Sequence, residues 1–475
     1  MKKLLCILLS VLLVLPFAAC GNSNDTAETD TGNGTDGAVT ETETEAFFPD
    51  IEKKDYGEEF QMIGFHHPSM WYWVEGLTNE PLNDAIYEMS TRISDYLGVE
   101  FYYESTSEAG VFNTVSASIA SGDDAYQACF LHPYIGYNAF IGNGYALDCA
   151  QLDQLDFDQP YWNKNVIENL AINDCYYILL GDLNKYILNI LYANKNRLEA
   201  AQRQMPYESV RNGTWTWDEF YALSKDLYVD ASGDGQRNLD DIYGFAALWD
   251  WNAASALQAA GFYVATRNEY GEFKLSIEEE KLVDFYTKLL EWSQSESVYL
   301  WKFADELNGT NMLSLLENRS YFTLEQLGTQ YLSADFDVGI LPLPKYDADQ
   351  DNYRHVNWGS NIIVPTSVKN TEMVGDVLEL RAYFSRELIQ TAYYDTVLQY
   401  KVSNSADDRE MVMLIWNTVV YDPGIAFCDG NMNLNNLVYL VSNGVQNKTM
   451  KIASYLKANS GPAQRGLDKI VYTTN

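Results

Sequence analysis

The segment between Asp230 and Asp241 has the side chains and the spacing of a calcium-binding loop. Calcium takes oxygen ligands from positions 1, 3, 5, 7, 9 and 12 of such a loop, around a glycine at position 6 that makes the sharp turn. Gly235 stands at position 6, although Asp241 is shorter than the usual glutamate and Arg237 is charged where an apolar residue is usual. The pattern predicts a structural Ca²⁺ site, with an acidic turn without metal as the alternative. The oxygen-bearing residues at ligand positions are Asp230, Ser232, Asp234, Gln236, Asn238 and Asp241, of which we predict all but Asn238 as ligands.

A cluster of aromatic side chains follows the first predicted strand. The segment 66–73 contains Trp71, Tyr72 and Trp73 in succession, outside any strand pattern that would bury them on one face. Aromatic faces beside carboxylates or amides suit ligands that have apolar C–H faces and a rim of hydroxyls, as sugars have. We therefore predict that Trp71 contacts a ligand, with packing on the protein surface as the alternative.

The charge balance excludes some partners. The chain has 67 Asp and Glu residues against 31 Lys and Arg residues, a net charge of −36. Binding to nucleic acid or to an anionic membrane surface requires clustered Lys and Arg, so both are disfavoured. A hydrophobic content of 47% in 475 residues is enough for a globular body of two ordinary domains.

The amino terminus predicts export and lipid anchoring. Two lysines precede an apolar run from Leu4 to Leu15, and small residues stand just before Cys20. This order is typical of a signal peptide over residues 1–19, too short to remain as a membrane-spanning helix. Residues 17–20 resemble a bacterial lipobox, in which the cysteine receives lipid, so Cys20 is the predicted anchor. Residues 20–54 carry almost no large apolar side chains and predict a disordered acidic tether.

The pattern of residues 55–131 predicts a parallel α/β unit. Strands are expected at 60–65, 99–103 and 126–131, because these are short apolar runs, and helical spacing is present in 83–97 and 111–121. Strands that alternate with helices favour a parallel sheet, whose ligands sit beyond the carboxyl ends of the strands. The loops after Phe65 and Leu131 are therefore candidate ligand loops, and His132 lies in the second.

A second unit begins near Tyr186. Thr216 and Glu219 have the spacing of a capping box, which predicts a helix from there to about Tyr228. Residues 374–475 are mostly helical in pattern, with breaks expected at Pro423-Gly424 and at Gly461-Pro462. Further strands are expected at 186–193, 243–248, 320–324 and 336–341.

Several motifs, in this order, resemble the extracellular solute-binding proteins of ABC importers, specifically the carbohydrate-binding group related to maltose-binding protein. The similarity covers nearly all of residues 55–475. The most specific match is Gly213-Thr214-Trp215-Thr216-Trp217-Asp218-Glu219-Phe220. The other matching segments are 83–87, 97–99, 161–162, 194–195, 234–235, 241–245, 341–346 and 420–422.

The resemblance implies a two-lobed α/β fold of the periplasmic-binding-protein kind (type II), with a ligand cleft between the lobes. The first lobe would comprise residues 55–185 and 342–395, and the second lobe residues 186–341 and 396–475. A ligand that touches both lobes would favour a closed form, which a membrane permease would dock. The implied protein is a monomeric, non-enzymatic carrier of a carbohydrate, tethered outside the cell membrane by its lipid.

Within such a cleft, six residues are predicted to contact the ligand. Trp249 follows a strand end that faces the cleft by the resemblance, and Glu325 stands where relatives often place a ligand contact. Asp182 lies just before the crossing between lobes, and Trp358 precedes a strand that returns through the first lobe. Core packing or helix capping is the alternative for each of them. The full set is Trp71, His132, Asp182, Trp249, Glu325 and Trp358.

Alternatives to this function remain open at the level of sequence. A surface glycoside hydrolase needs two facing carboxylates, and with so many acidic residues no motif singles out such a pair. A carrier of a peptide or of another small solute is the second alternative. The export signal permits disulfides, and Cys149 with Cys175 is one conceivable pair, but buried free thiols are an equal reading for Cys129, Cys149, Cys175 and Cys428.

Overall fold

The computed structural model describes residues 48–65, 72–132, 136–181, 187–238, 240–249, 251–301, 318–328, 334–393 and 405–473. The strands are β1 Glu58–Phe65, β2 Val99–Thr106, β3 Ala128–Leu131, β4 Asn189–Asn194, β5 Tyr243–Leu248, β6 Ala265–Arg267, β7 Phe273–Leu275, β8 Val298–Trp301, β9 Ser320–Gln326, β10 Val338–Leu341, β11 His355–Val356, β12 Asn361–Ile363 and β13 Val419–Val420. The helices are α1 Pro81–Leu97, α2 Glu108–Ser121, α3 Tyr137–Gly142, α4 Lys164–Leu170, α5 Lys195–Ala200, α6 Tyr207–Arg211, α7 Trp217–Ser224, α8 Trp251–Ala259, α9 Glu279–Ser293, α10 Thr371–Phe384, α11 Ala406–Asn417, α12 Pro423–Ala426, α13 Met432–Val438, α14 Leu440–Gln446 and α15 Ile452–Thr473, with a π-helical turn at Ser385–Gln390.

The first sheet has the strand order β12-β3-β1-β2. Strand β1 pairs in parallel with both β2 and β3, and the late strand β12 adds antiparallel to β3. Strand β3 is buried along its whole length, as expected for a strand that helices cover on both faces. Helix α1 ends at Gly98, whose φ of 60° gives the left-handed turn into β2 that a residue with a Cβ adopts less readily.

The second sheet has the order β10-β4-β9-β5-β8. Strand β5 is parallel to β8 and β9, whereas β4 is antiparallel to β9 and β10. Two mixed α/β sheets of this kind match the fold class that the sequence predicted, which is thereby confirmed. The boundaries proposed for the two lobes stay a prediction, since the described residues between 48 and 473 fall in one compact unit.

Most local predictions are confirmed, but α7 ends at Ser224 rather than near Tyr228, and one predicted helix break is wrong. Strand β5 spans the predicted residues, and Thr216 caps α7, with its Oγ1 3.4 Å from the backbone nitrogen of Glu219. The carboxylate of Glu219 instead accepts a hydrogen bond from Ser209 at 2.5 Å, so only half of the capping box forms. The break expected at Gly461-Pro462 is absent, because Pro462 lies inside α15. Burial of Ala463 and the apolar residues after it holds the helix together past the proline.

Within the described ranges, two segments that run between the sheets lie side by side. Residues 187–188 lead into β4 of the second sheet, and residues 357–360 lead into β12 of the first. The backbone nitrogen of Trp358 donates to the carbonyl oxygen of Ile187 at 2.9 Å. Further along, Leu179 and Ile362 exchange two backbone hydrogen bonds of 2.9 Å. These backbone hydrogen bonds hold the two segments against each other.

Candidate ligand-binding site

Two of the predicted ligand residues lie outside the described residues. They are Trp71 and Asp182, and the predicted lipid anchor Cys20 lies outside them as well. Their roles stay predictions. The other four predicted ligand residues, His132, Trp249, Glu325 and Trp358, are described.

His132 and Trp358 are brought together at the connection between the sheets. His132 directly follows β3, and its imidazole lies 4.3 Å from the ring of Phe65, at the end of β1. Its Nδ1 is 2.6 Å from the carbonyl oxygen of Trp358. Because a carbonyl oxygen only accepts, the Nδ1–H donates this bond. The end of the first sheet is thus tied to a connecting segment.

The indole of Trp358 continues the contact into the second sheet. Its Nε1–H donates to the hydroxyl oxygen of Ser255 at 3.0 Å, and Ser255 lies in the middle of α8. The same hydroxyl accepts a second hydrogen bond, of 2.9 Å, from the side-chain amide of Asn189 in β4. All three side chains are buried. A single serine oxygen therefore joins a connecting segment to a strand and a helix of the second sheet.

Asn357 completes the cluster from the neighbouring position. Its Oδ1 accepts from the backbone nitrogens of Ile187 at 3.0 Å and of Gly359 at 2.7 Å, and its amide donates to the hydroxyl of Tyr421 at 3.3 Å. We call His132, Asn189, Ser255, Asn357 and Trp358 the crossing cluster. Its buried amide, hydroxyl, imidazole and indole groups provide directional hydrogen bonding of the kind that fixes a polar ligand or a hinge.

Glu325 lies on the strand next to β4, which carries Asn189 of the crossing cluster. It sits near the end of β9, opposite Ile190 of β4, and is half-buried. Its Oε1 accepts from the backbone nitrogen of Gln326 at 2.8 Å. A half-buried carboxylate at a strand end is placed to accept hydroxyl hydrogen bonds, so the prediction for Glu325 stays open.

Trp249 lies outside the crossing cluster. Its side chain is 1% exposed, and its ring packs near Phe245 and Trp292 with centroid distances of 6.4 and 6.3 Å. Its carbonyl oxygen accepts a 2.7 Å hydrogen bond from the side-chain amide of Gln446 in α14. It lines a cavity beside the edge strand β8, and none of the described residues that line this cavity belongs to the crossing cluster.

Two buried titratable groups lie close to the connecting segments. Burial lowers the pKa of His355 to about 3, and the neutral ring accepts from the backbone nitrogen of Leu343 at 3.2 Å through Nε2. Burial raises the pKa of Asp422 to about 6, although the backbone nitrogens of Val264 and Gly424 donate to it at 2.6 and 2.7 Å. Both groups link helical and strand segments near β11 and β13.

The predicted calcium loop is closed by hydrogen bonds of its own. The Asp230 carboxylate accepts from the backbone nitrogens of Gly233 and Gly235 at 2.7 and 2.9 Å, and the φ of Gly235 is 71°. Asp241 is fully buried and accepts from the hydroxyl of Tyr228 at 2.8 Å. Among the described residues, no three His, Cys, Asp or Glu side chains are grouped closely enough to hold a metal ion. Calcium binding by Asp230, Ser232, Asp234, Gln236 and Asp241 stays a prediction.

Sequence reasoning did not single out the polar residues that accompany Trp358. Asn189, Ser255 and Asn357 are ordinary residues in apolar or mixed surroundings of the sequence, and no motif marks them. One signal was available: Asn252 and Ser255 are three residues apart in α8, directly after β5, so they share a helix face near a strand end. Asn252 is fully buried, and its side-chain amide has no hydrogen-bond partner in the described part of the chain.

The described cysteines form no disulfide, and the described helices do not include a membrane-spanning one. Cys129, Cys149, Cys175 and Cys428 are all free thiols. No helix within the described ranges is long and apolar enough to cross a bilayer.

Comparison with solved structures identifies the fold. An ABC substrate-binding protein from Listeria monocytogenes in complex with cycloalternan superposes with a TM-score of 0.53 at 14% identity, over 86% of this chain and 98% of the other. The GacH receptor of Streptomyces glaucescens, determined unliganded and with acarbose, superposes with a TM-score of 0.55 at 13% sequence identity, over 86% of this chain and 98% of the receptor. The maltose/maltodextrin-binding domain of Bdellovibrio bacteriovorus bound to maltotriose has a TM-score of 0.54 at 12% sequence identity, over 86% of this chain and 99% of that domain.

These similarities establish the fold, because they extend over nearly the whole length of each solved structure while the sequences have diverged. The chain matches no protein-family model. It also matches no curated protein sequence. The fold of extracellular solute-binding proteins is therefore carried here by a sequence that is far from those of the solved examples.

Proposed function

We propose that the chain is the extracellular binding protein of an ABC importer, and that it captures an oligosaccharide and delivers it to the membrane permease. The observation that carries this proposal is the two-sheet fold, shared over 98–99% of the length of binding proteins whose structures contain cycloalternan, acarbose or maltotriose. The ligand of this chain is inferred from theirs and from its own residues.

The crossing cluster supplies the supporting geometry. His132, Trp358 and Ser255 form a chain of hydrogen bonds from the end of the first sheet to α8 beside the second. A ligand held next to these groups would contact both sheets at once and would stabilise one relative arrangement of them. That is the property a transport receptor needs, since the permease must distinguish the loaded form.

The proposal includes export and anchoring. Residues 1–19 would be removed as a signal peptide, and Cys20 would carry the lipid that holds the protein at the outer face of the cell membrane. Residues 20–54 would serve as the tether. A calcium ion in the loop 230–241 would stabilise the body without taking part in transport.

A ligand panel tests the proposal. Maltotriose, cyclic and linear glucans, a monosaccharide set and a tripeptide set would be added to the mature protein, with thermal unfolding as the measurement. Binding of an oligosaccharide should raise Tm, since ligands that bind only the native state stabilise it, and the sugar should be recovered intact. Release of reducing ends would instead identify a glycoside hydrolase. A response to tripeptides alone would contradict the carbohydrate assignment.

A further inference from the structure

A charged side chain is buried against the first sheet. Arg381 lies in α10 and is 1% exposed. Its guanidinium carbon lies 5.8 Å from the ring centroid of Phe101 in β2 and 5.9 Å from that of Phe130 in β3. Among the described residues, no carboxylate forms an ion pair with this group, and its Nε and Nη1 have no hydrogen-bond partner. The core of the first sheet therefore contains a cation with few polar contacts.

Such a guanidinium is costly to bury. Water stabilises a charged group far more than an apolar interior does, and here mainly aromatic rings and one carbonyl oxygen take the place of water. Burial accordingly lowers the pKa of Arg381 to about 9, which still leaves the group charged at neutral pH. Because a buried charge without a counter-ion contributes little to the stability of a fold, the contribution of Arg381 lies in the one hydrogen bond that its guanidinium forms with a described residue.

That hydrogen bond fixes Tyr72. The Nη2 of Arg381 donates to the carbonyl oxygen of Tyr72 at 3.0 Å, and a charged donor makes such a bond stronger than a neutral one does. The ring of Tyr72 is buried and stacks on the ring of Phe130, with 4.0 Å between the two centroids. Tyr72 is thus held through its backbone by α10 and through its ring by β3.

Tyr72 in turn contacts a segment that runs between the sheets. Its hydroxyl shares a hydrogen bond with the hydroxyl of Ser360, which is buried and lies two residues after Trp358. The same segment enters β12, which pairs with β3 at Phe130, the residue on which Tyr72 stacks. Tyr72 therefore joins α10 and β3 to residues 357–360.

We propose that Arg381 is a positioning residue for ligand binding. It fixes Tyr72, Tyr72 fixes Ser360, and Ser360 sets the position of Trp358 in the crossing cluster. This inference rests on the proposed function, because the crossing cluster acts on a ligand only in a protein that binds one. A change at Arg381 should therefore alter affinity without lowering stability, whereas a change at a residue that only fills the core lowers stability.

Replacement by methionine tests the proposal, because R381M removes both the charge and the donor. It should weaken binding of maltotriose, or of the glucan in the panel that raises the wild-type Tm most, about tenfold in calorimetric titration. Its Tm without sugar should equal or exceed that of the wild type, because the charge costs more to bury than one hydrogen bond returns. R381K keeps a charged donor and should bind within about threefold of the wild type. Wild-type affinity in R381M, or equal weakening in R381K and R381M, would overturn the proposal.

The matched control is R386M. Arg386 lies in the π-helical turn after α10 and also donates to a carbonyl oxygen, that of Pro160, at 2.7 Å. R386M should keep the wild-type affinity, and a loss equal to that of R381M would overturn the assignment to Arg381. If R381M does not fold by circular dichroism, Y72F decides, since it removes a single buried oxygen and should weaken sugar binding several-fold. Wild-type affinity in Y72F would contradict the proposal.

A double-mutant cycle measures the same contacts without sugar. Y72F, S360A and the double variant Y72F/S360A would be unfolded in urea, each with and without R381M. Coupling between Tyr72 and Ser360 should be measurable in the wild-type background and lost with R381M, because Tyr72 is then no longer fixed. If no sugar of the panel binds, the proposed function fails while this cycle still tests Arg381. Coupling of equal size in both backgrounds would overturn the proposal.

Discussion

The imidazole of His132 donates a hydrogen bond of 2.6 Å to the carbonyl oxygen of Trp358, across the boundary between the two sheets. The two residues are 226 positions apart in the chain. His132 closes the third strand of the first sheet, and Trp358 lies on a segment that connects the sheets. Their contact makes the position of that segment depend on the end of β3, and it places the indole of Trp358 against α8.

Replacement of Trp358 by phenylalanine should weaken oligosaccharide binding about tenfold. The smaller ring removes the N–H donor to Ser255 and leaves that hydroxyl with one partner fewer. Because Trp358 is only 3% exposed, alanine would also leave a large cavity and cost about 3–5 kcal/mol of unfolding free energy, which makes phenylalanine the cleaner change. Calorimetric titration with the best ligand of the panel is the measurement.

The control for that variant is Tyr270→Phe, an aromatic change at a side chain that is 78% exposed. It should leave affinity unchanged. The double variant W358F/S255A should lose less affinity than the sum of the two single variants, because both changes remove the bond between Trp358 and Ser255, while S255A also removes the acceptor of the Asn189 amide. Additive losses would show that the two side chains act independently and would argue against the crossing cluster as a unit.

Acid should destabilise the protein through His355. Its pKa is about 3 in the folded state because burial disfavours the charged ring, and an unfolded histidine titrates near 6.5. Below pH 6.5 His355 is protonated in the unfolded state, whereas in the folded state it stays neutral until about pH 3. The folded state is therefore more stable above pH 6.5 and loses this stability as the pH falls. Between pH 6.5 and 4.5 the loss amounts to ~2 kcal/mol.

Urea unfolding of the wild type and of H355Q at several pH values measures this effect. A glutamine side chain can still accept the hydrogen bond from the backbone of Leu343 but does not titrate. As the pH drops, the unfolding free energy of the wild type should fall more steeply than that of H355Q. Parallel curves would show that His355 is protonated in the folded state without penalty.

Calcium should raise the Tm of the wild type and not that of a D234N variant. Asp234 is exposed, and its carboxylate accepts hydrogen bonds from Gln236 and Asn238 of the same loop, so its replacement should not disturb the core. A bound ion stabilises the native state in proportion to its occupancy. Melting in about 5 mM EDTA, and then in about 5 mM CaCl₂, a concentration that fills even weak extracellular sites, is the measurement. The same Tm in both buffers would identify an acidic turn without metal.

Replacement of Cys20 by serine should release the protein from the membrane fraction of a bacterial expression host. Lipid attachment needs the cysteine thiol, and without it the body carries no described helix that could span a bilayer. Metabolic labelling with a radioactive fatty acid should mark the wild type and not C20S. The change C175S, at a half-buried free thiol of the body, is the control and should stay labelled. Labelled C20S would show that anchoring uses another residue.

Local patterns predicted the elements of the fold well where short-range physics decides. Gly98 ends α1 in the left-handed conformation, and Thr216 caps α7, because both depend on the backbone of a few neighbouring residues. The expected break at Pro462 failed for the opposite reason. The buried residues that follow it, including Leu467 and Ile470, pack in the core, and this packing outweighs the loss of one helical hydrogen bond.

The sequence by itself determined the α/β class, the acidic character of the chain and the regions in which strands end. Only the tertiary structure decided which of the predicted aromatics meet. Trp249 and Trp358 looked equivalent as tryptophans near strand ends, yet one lines a cavity beside β8 and the other joins His132 and Ser255 between the sheets. The physical reason is that strand and helix periodicity is local, whereas the partner of a buried side chain is set by sheet order and by how distant segments cross.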